Sequence, residues 1–231
     1  MDKKTAMAFI PARKGSKGLP GKNKKLFHGK PLIQWSIDQA KESKLFDAIV
    51  VSSDDDDILQ IAKDNNILPV ERHEELATDD ATIDEVLYDF LARTKCDYVC
   101  LLNPTSPLRA VKDIKEMYKY IKLKKYETVV SVKWSDFMGW VGQPNNLGPV
   151  CSYNTDKRPN RQSRPDFFLE NGAIYWFKHE LFLVYGNIIG NFRKTKLYEM
   201  PLERSLEIDN EFDWYMAERA YEYLSMEKSN T

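Results

Sequence analysis

The segment best suited to chemistry is the stretch PARKGSKGLPGKNKK at residues 11–25, called the cationic loop below. It holds six Lys or Arg residues and three Gly residues, and it contains no acid. Glycines let a backbone approach a ligand closely, and consecutive backbone N–H groups can cradle phosphate oxygens. The side chains of Arg13, Lys17 and Lys22 add positive charge that can reach the same place. The loop therefore predicts a site for a phosphate-bearing anion.

Two alternatives to such a site are open. The first is a Walker-type nucleotide loop, G-x-x-x-x-G-K-[ST], which has four residues between its glycines and a hydroxyl after its lysine. Here five residues separate Gly15 from Gly21, and Asn23 stands where the Mg²⁺-binding Ser or Thr would be. The second is a solvated basic turn, although glycines clustered directly after a first strand favour a ligand.

Short apolar runs alternate with segments of helical periodicity, and this alternation predicts the scaffold. Strands are expected at residues 6–10, 47–53, 67–71, 98–102 and 128–132, and helices at residues 32–40, 55–66, 83–93 and 112–123. Nearly continuous apolar strands between helices predict one α/β domain over residues 1–231, with a mostly parallel sheet and helices on both faces. Ligands of such sheets bind beyond the carboxyl ends of the strands, so the loops that follow strands are the candidate site.

Residues 133–168 interrupt this alternation. The segment is rich in Gly, Pro, Asn and aromatic residues, and it is too long for an ordinary connection. It is either a lid or an arm that docks on a partner. Its aromatic residues Trp134, Phe137, Trp140 and Tyr153 favour a dimerisation arm inserted in the domain.

The composition excludes several classes of protein. The formal net charge of −1 argues against a general nucleic-acid binder. No apolar run is long enough for a membrane span or a signal segment, so we expect no membrane association. The three cysteines and three histidines form no metal pattern, and an odd number of cysteines fits a reducing cytoplasm.

Several motifs together resemble one enzyme family. The stretch IPARKGSKGLPGKN is similar to the signature of the acylneuraminate cytidylyltransferase family. VSSDDDDI, ERHEELATDDAT, LLNPTSPLR, ENGAIY and SLEIDNEFDW agree in order and spacing, so the resemblance spans roughly residues 5–224. It implies a Rossmann-like fold of the nucleotide-diphospho-sugar transferase type with a dimerisation arm. It also implies attack by the anomeric hydroxyl of a 2-keto acid sugar on the α-phosphate of CTP, with release of pyrophosphate.

The resemblance implies a set of nucleotide-binding residues. These are Arg13, Ser16, Lys17, Lys22, Asn23, Arg72, Ala77 and Thr82. Lys22 is expected to stabilise negative charge on the α-phosphate and the leaving group, with Arg13 beside it. Arg72 is expected to read the cytosine edge, the alternative being a surface ion pair with Glu74 or Glu75. Asp79 and Asp80 are either residues at a helix start or ligand groups.

The resemblance implies a sugar site as well. Its residues are Asn103, Ser106, Arg161, Asn171 and Tyr175, with Arg161 reaching the site of the partner subunit. Asn103 stands where the family usually has Gln, which shortens the amide by one methylene. Arg109 is either part of this sugar loop or a structural ion-pair residue, and Asn171 could be a turn residue. A lysine of the arm and an aromatic pair of the family have no counterpart here, so the sugar is less defined than the nucleotide.

Glu207 and Asp209, called the acidic pair below, occupy the place of the family's metal-binding D-x-D motif. Carboxylates at positions i and i+2 of an extended segment point to one side and can share a hard cation with phosphate oxygens. Mg²⁺ is therefore the expected cofactor, with Asp209 as a catalytic ligand and Glu207 as either a ligand or a base. Asp213 is expected to cap the last helix, and the acids at 54–57 to begin an earlier one.

The sequence as a whole predicts a CTP- and Mg²⁺-dependent cytidylyltransferase acting on an N-acylneuraminate-like nonulosonic acid. It is expected to be a cytoplasmic homodimer that binds no nucleic acid and no membrane. One alternative is the same chemistry on legionaminic, pseudaminic or another 2-keto-3-deoxy sugar acid. Another is a catalytically silent homologue that only binds nucleotide.

Overall fold

The computed structural model describes residues 4–136, 138–142, 149–164 and 166–229. The strands are β1 (Ala6–Pro11), β2 (Leu26–Phe27), β3 (Lys30–Pro31), β4 (Ala48–Ser53), β5 (Leu68–Glu71), β6 (Tyr98–Leu102), β7 (Thr128–Ser135), β8 (Trp140–Val141), β9 (Val150–Cys151), β10 (Phe167–Lys178) and β11 (Thr195–Glu199). The helices are α1 (Leu32–Ser43), α2 (Asp56–Asp64), α3 (Ile83–Leu91), α4 (Val111–Ile121), α5 (His179–Tyr185) and α6 (Glu211–Ser229).

Seven strands form one mostly parallel sheet in the order β11-β7-β10-β6-β1-β4-β5. The neighbours of β1 run parallel to it, whereas β10 runs antiparallel to both β6 and β7. The predicted strands at the centre are confirmed, and β6 has the predicted bounds. β10 and β11 were not predicted as strands; β10 lies between β6 and β7, and β11 forms the edge of the sheet beside β7.

Helices cover both faces of the sheet, as the alternation along β1 illustrates. Ala8 and Ile10 point into a core cluster that includes buried side chains of α1, α2 and α4. Met7 and Phe9 point into a second cluster with buried side chains of α3 and α5. Strands buried on both faces explain the nearly continuous apolar runs in the sequence.

A third, smaller core cluster lies beside the cationic loop. It joins Leu19 of that loop to Ile208, which sits inside the acidic pair, and to Trp214 of α6. Ile208 is fully buried, and its backbone N–H donates to the carbonyl of Thr105 after β6 at 2.8 Å. Packing of one apolar side chain between two acids therefore brings distant parts of the chain to the same edge of the sheet.

The first residues of three helices show the structural roles of several acidic side chains. Asp55 is the N-cap of α2 and accepts from the N–H of Asp57, so the acids at 54–57 begin a helix as predicted. Asp213 accepts from the N–H of Asn210 at the start of α6, which confirms its capping role. α3 is capped by Thr82 with Glu85 in a capping box.

The interruption between β7 and β10 is shorter than the predicted 133–168, because β7 extends to Ser135 and β10 begins at Phe167. Within it, β8 and β9 form a small antiparallel hairpin. Trp140 is exposed and contacts the ring of Tyr153 edge-on. Phe137 and the side chain of Arg161 lie outside the described residues.

In the part of the chain that the structure describes, no helix combines the length and apolar character needed to cross a membrane.

Candidate active site

A cleft of about 470 Å³ opens at the carboxyl ends of β1 and β6. Its twelve lining residues are Pro11, Arg13, Ser16, Lys17, Gly18, Lys22, Asn23, Asn103, Pro104, Thr105, Glu207 and Asp209. Eight of the twelve are residues that the sequence assigned to the nucleotide, sugar or metal; the other four are Pro11, Gly18, Pro104 and Thr105. The cationic loop, the loop after β6 and the acidic pair therefore meet in one place.

Lys22 links the cationic loop to the acidic pair. Its Nζ donates to Asp209 Oδ1 and to the carbonyl oxygen of Ile208, both at 2.8 Å. The Lys22 side chain is only 11% exposed, whereas that of Asp209 is 66% exposed. An ammonium group has three N–H donors, so one remains for a ligand oxygen.

Arg13 and Lys17 face the cleft from its other side, and both are paired with Asp79. Arg13 Nη2 lies 2.8 Å from Asp79 Oδ1, and Lys17 Nζ lies 2.7 Å from Asp79 Oδ2. Hydrogen bonds from Lys17 and then Arg13 lower the pKa of Asp79. Asp79 thus does not cap α3, which was one alternative for it.

Asn23 carries an acceptor that the protein does not satisfy. Its side chain is buried, and its Nδ2 donates to the carbonyl of Arg13 at 3.3 Å. Its Oδ1 is buried without a hydrogen-bond partner among the described residues. Because an unsatisfied buried acceptor is costly, a ligand hydroxyl or amino group in the cleft would stabilise this arrangement.

The acidic pair has the donor chemistry of a magnesium site. Thr105 Oγ1 donates to Glu207 Oε1 at 3.2 Å. Although part of Glu207 is exposed, desolvation of its carboxylate raises its pKa, and the charge of Asp209 adds to this effect. No cluster of three or more His, Cys, Asp or Glu residues suited to a metal occurs among the described residues. Mg²⁺ is commonly held by one or two carboxylates and substrate phosphates, so the pair fits this ion.

Two glycines allow the acidic pair to approach the strand-end loops. A Cβ on Gly18 would lie 2.3 Å from the carbonyl oxygen of Asp209, a distance that real side chains do not adopt. Gly172 has φ of +69° and lies against Glu207, whose Oε2 would be 2.8 Å from a Cβ there. Sequence reasoning missed Gly18, Gly172 and Thr105 as individual residues. The position of Thr105 in the loop that follows a predicted strand, three residues past its end, was the signal that could have found it.

The predicted sugar-binding residues divide into two groups. Asn103 lines the cleft and its Nδ2 donates to the carbonyl of Gly172 at 2.7 Å. Tyr175 lies near the same edge: its hydroxyl donates to Glu170 at 2.9 Å. Burial raises the pKa of Tyr175, with further contributions from the charges of Glu170 and Glu207.

Asn171 and Ser106 do not line the cleft. The Asn171 side chain is buried, accepts from Ser131 Oγ at 2.6 Å and donates to Ser205 Oγ at 2.9 Å. Both ends of its amide are therefore used inside the fold, and its contact with a sugar stays a prediction. Ser106 is fully buried as well, but its Oγ, like Asn23 Oδ1, has no hydrogen-bond partner among the described residues, so its role in sugar binding stays a prediction.

The remaining nucleotide assignments, Arg72, Ala77 and Thr82, are not among the residues that line the cleft. Arg72 is buried and donates to the carbonyl of Ser52 at 3.1 Å. Burial lowers its pKa, and the nearby charge of Arg13 lowers it further. No ion pair joins Arg72 to Glu74 or Glu75, all of which are described, so the surface ion-pair alternative is wrong. Thr82 caps α3 and faces a separate pocket of about 610 Å³.

The sequence profile described as cytidylyltransferase matches residues 7–225. The chain belongs to the cytidylyltransferase family. The matched range includes every loop that lines the cleft, from the cationic loop to the acidic pair.

Curated relatives agree with this family. N-acylneuraminate cytidylyltransferase A of Danio rerio is 33% identical over 222 residues, covering 92% of this chain and 50% of the relative. The N-acylneuraminate cytidylyltransferase of Streptococcus agalactiae serotype III (strain NEM316) is 35% identical over 234 residues, covering 97% and 55%. That of Escherichia coli O18:K1:H7 is 34% identical over 215 residues, covering 91% and 51%. The chain spans about half the length of these relatives.

Solved structures confirm the fold of this cytidylyltransferase family member. CMP:2-keto-3-deoxy-manno-octonic acid synthetase complexed with CTP superposes with a TM-score of 0.70 at 16% identity, covering 94% of this chain and 99% of that one. The 4-diphosphocytidyl-2C-methyl-D-erythritol synthase of Anaerococcus prevotii DSM 20548 gives 0.69 at 15% identity, covering 96% of both chains. The Rossmann-like, mostly parallel architecture is therefore shared.

Proposed function

We propose that the cleft transfers CMP from CTP to the anomeric hydroxyl of a nonulosonic acid of the N-acylneuraminate type. The observation that carries the proposal is the contact between Lys22 and Asp209, which joins a phosphate-binding loop to a pair of carboxylates. Family membership and the names of the curated relatives support the same reaction. The cleft volume of about 470 Å³ falls in the usual range for small-molecule sites.

In the proposed reaction, the anomeric oxygen forms a bond to the α-phosphorus of CTP. The bond between that phosphorus and the oxygen bridging to the β-phosphate breaks, pyrophosphate leaves with the electron pair, and the hydroxyl proton is released. Negative charge grows on the pyrophosphate, so preorganised cations lower the barrier. Lys22 supplies its remaining N–H to the phosphates, and Arg13 and Lys17 bind the outer ones. Asn23 Oδ1 would accept from a hydroxyl or amino group of the nucleotide.

We propose Mg²⁺ as the cofactor, held by Glu207 and Asp209 together with phosphate oxygens of the substrate. When bound, the ion would neutralise charge on the triphosphate. Thr105 and Gly172 support this assignment, since one donates to the Glu207 carboxylate and the other leaves room for it.

We also propose a cytoplasmic homodimer. The exposed aromatic side chains of Trp134 and Trp140 near the β8–β9 hairpin support a partner chain there. Free cysteines support a reducing compartment. Sedimentation velocity tests the dimer, and a stable active monomer would contradict it. Cell fractionation tests the location.

A panel of acceptors tests the proposed reaction. The acceptors are N-acetylneuraminate, legionaminic acid, pseudaminic acid and shorter 2-keto-3-deoxy sugar acids, each assayed with CTP and Mg²⁺ by the release of pyrophosphate. We expect kcat/KM to be highest for an N-acylneuraminate. A higher value for another acid would support the second candidate, which the shorter amide of Asn103 favours. If no acceptor yields pyrophosphate, the chain is a nucleotide-binding homologue and the proposed activity is wrong.

A further inference from the structure

Two cations of the cleft are already paired with one carboxylate of a residue that does not line it. The carboxylate of Asp79 gives one oxygen to Arg13 at 2.8 Å and the other to Lys17 at 2.7 Å. The same guanidinium also donates through Nη1 to the carbonyl oxygen of Thr78 at 3.0 Å. Both terminal nitrogens of Arg13 therefore hold residues 78–79, on the loop that precedes α3.

The Asp79 carboxylate contacts these two cations in the way that an anionic ligand would. An arginine fork commonly grips a carboxylate or a phosphate through two nitrogens, and here the fork is shared between a carboxylate and a carbonyl. Asp79 bridges two cations that, under the proposed function, bind phosphates. A phosphate can take these donors only if Asp79 releases them.

We propose that Asp79 competes with the ligand: its carboxylate occupies Arg13 and Lys17, and a ligand that uses both cations binds only by displacing it. The inference rests on the proposed triphosphate ligand of the cationic loop. Displacement costs the same contacts for each ligand that uses both cations. A triphosphate carries enough charge to displace one carboxylate, whereas the single phosphate of CMP corresponds to the α-phosphate and, under the proposed function, does not use the cations that bind the outer phosphates. Asp79 thereby weakens the binding of a triphosphate and leaves unchanged the binding of a monophosphate that does not reach the two cations.

The surroundings of Asp79 allow this exchange. Its side chain is 42% exposed and that of Lys17 is 78% exposed, so the ion pairs can open without disturbing the core. The lowered pKa of Asp79 keeps its carboxylate ionised at neutral pH. The adjacent Asp80 is also exposed and makes no hydrogen bond or ion pair in the described structure, so it provides a matched control with the same charge.

Calorimetric titration with CTP, CMP and inorganic tripolyphosphate tests the inference. Asp79→Asn is expected to lower the Kd for CTP and tripolyphosphate by roughly three- to tenfold, the range for loss of two competing surface ion pairs. The Kd for CMP should stay within about twofold of the wild type, so the ratio of the CMP to the CTP dissociation constant should rise by roughly three- to tenfold. Asp80→Asn is expected to change each Kd by less than about twofold. This change measures the general effect of removing one negative charge near the site. Asp79→Glu, which keeps the charge, should remain near the wild type. Circular dichroism verifies that each variant is folded.

Each outcome decides the inference. A higher Kd in Asp79→Asn would mean that Asp79 orients Arg13 and Lys17 for the ligand, and an unchanged Kd would mean that the ion pairs persist on binding; either overturns the proposal. If the wild type binds CTP but Asp79→Asn binds it no more tightly, only this inference fails. If the wild type binds tripolyphosphate but not CTP, and Asp79→Asn binds tripolyphosphate more tightly, the proposed function fails and the inference stands.

Discussion

Lys22→Met is expected to lower kcat for CMP transfer by about 100-fold or more while the fold is retained. Removal of one preorganised donor from a developing negative charge typically costs this much. Lys22 is the cation most firmly fixed at the cleft, since it is held by the carbonyl of Ile208 as well as by Asp209 and is only 11% exposed. Initial rates of pyrophosphate release at saturating CTP measure the effect.

The matched control is Lys25→Met, which removes the same charge from the same loop. Lys25 does not line the cleft; its Nζ pairs with Glu211 at 3.2 Å and lies over the ring of Trp214. We expect its kcat to stay within about twofold of the wild type, because exposed ion pairs contribute little. Near-normal turnover by a folded Lys22→Met protein would remove this lysine from the mechanism.

Arg109→Met is expected to have the largest effect on stability, lowering the free energy of unfolding by about 3 kcal/mol or more. The Arg109 guanidinium is buried and donates to the carbonyls of Asn103 and Ala173 at 2.7 and 2.8 Å, to Gln39, and to Ser36. Methionine would leave these buried acceptors without a donor. Burial lowers the pKa of Arg109 to about 9, which still leaves it protonated at neutral pH. Urea denaturation followed by circular dichroism measures the loss.

Arg93→Met provides the comparison for this prediction. Arg93 is 62% exposed and pairs with Asp89 across one helical turn, so its loss should cost less than about 0.5 kcal/mol. A destabilisation of Arg109→Met below about 1 kcal/mol would show that the acceptors find other donors. The contacts also correct one alternative from the sequence: among the described residues Arg109 has no carboxylate partner, so it is structural but not part of an ion pair.

The parallel half of the fold could be predicted because its strands are defined locally. β1, β4 and β6 are short apolar runs followed by loops, and each lies at or within one residue of its predicted bounds. β10 could not be predicted in the same way. It pairs antiparallel with strands distant in sequence, and its pairing with β7 is interrupted between Glu170 and Tyr175. Such long-range pairing and irregularity leave no simple period in the sequence.

The site was predictable where residue type and position after a strand determine it. The cationic loop and Asn103 follow this rule. They line one cleft together with the acidic pair, which was assigned from the family resemblance and not from a preceding strand. Asn171 does not line the cleft, because its side chain turns into the core and forms hydrogen bonds with Ser131 and Ser205. The sequence alone does not determine that direction. The pairing of Asp79 with Arg13 was likewise hidden, since the two residues lie 65 or more positions apart and meet only through the sheet.

The central claim is that this cleft joins the anomeric oxygen of an acid sugar to the α-phosphorus of CTP. The most direct test uses an acceptor labelled with ¹⁸O at its anomeric hydroxyl, together with CTP, Mg²⁺ and the wild-type protein. Phosphorus NMR and mass spectrometry of the products then locate the label. We predict that ¹⁸O is retained in the bridge between sugar and phosphorus of a CMP-sugar, with unlabelled pyrophosphate formed in equal amount. Absence of a CMP-sugar, or its formation without the bridging label, would contradict the account.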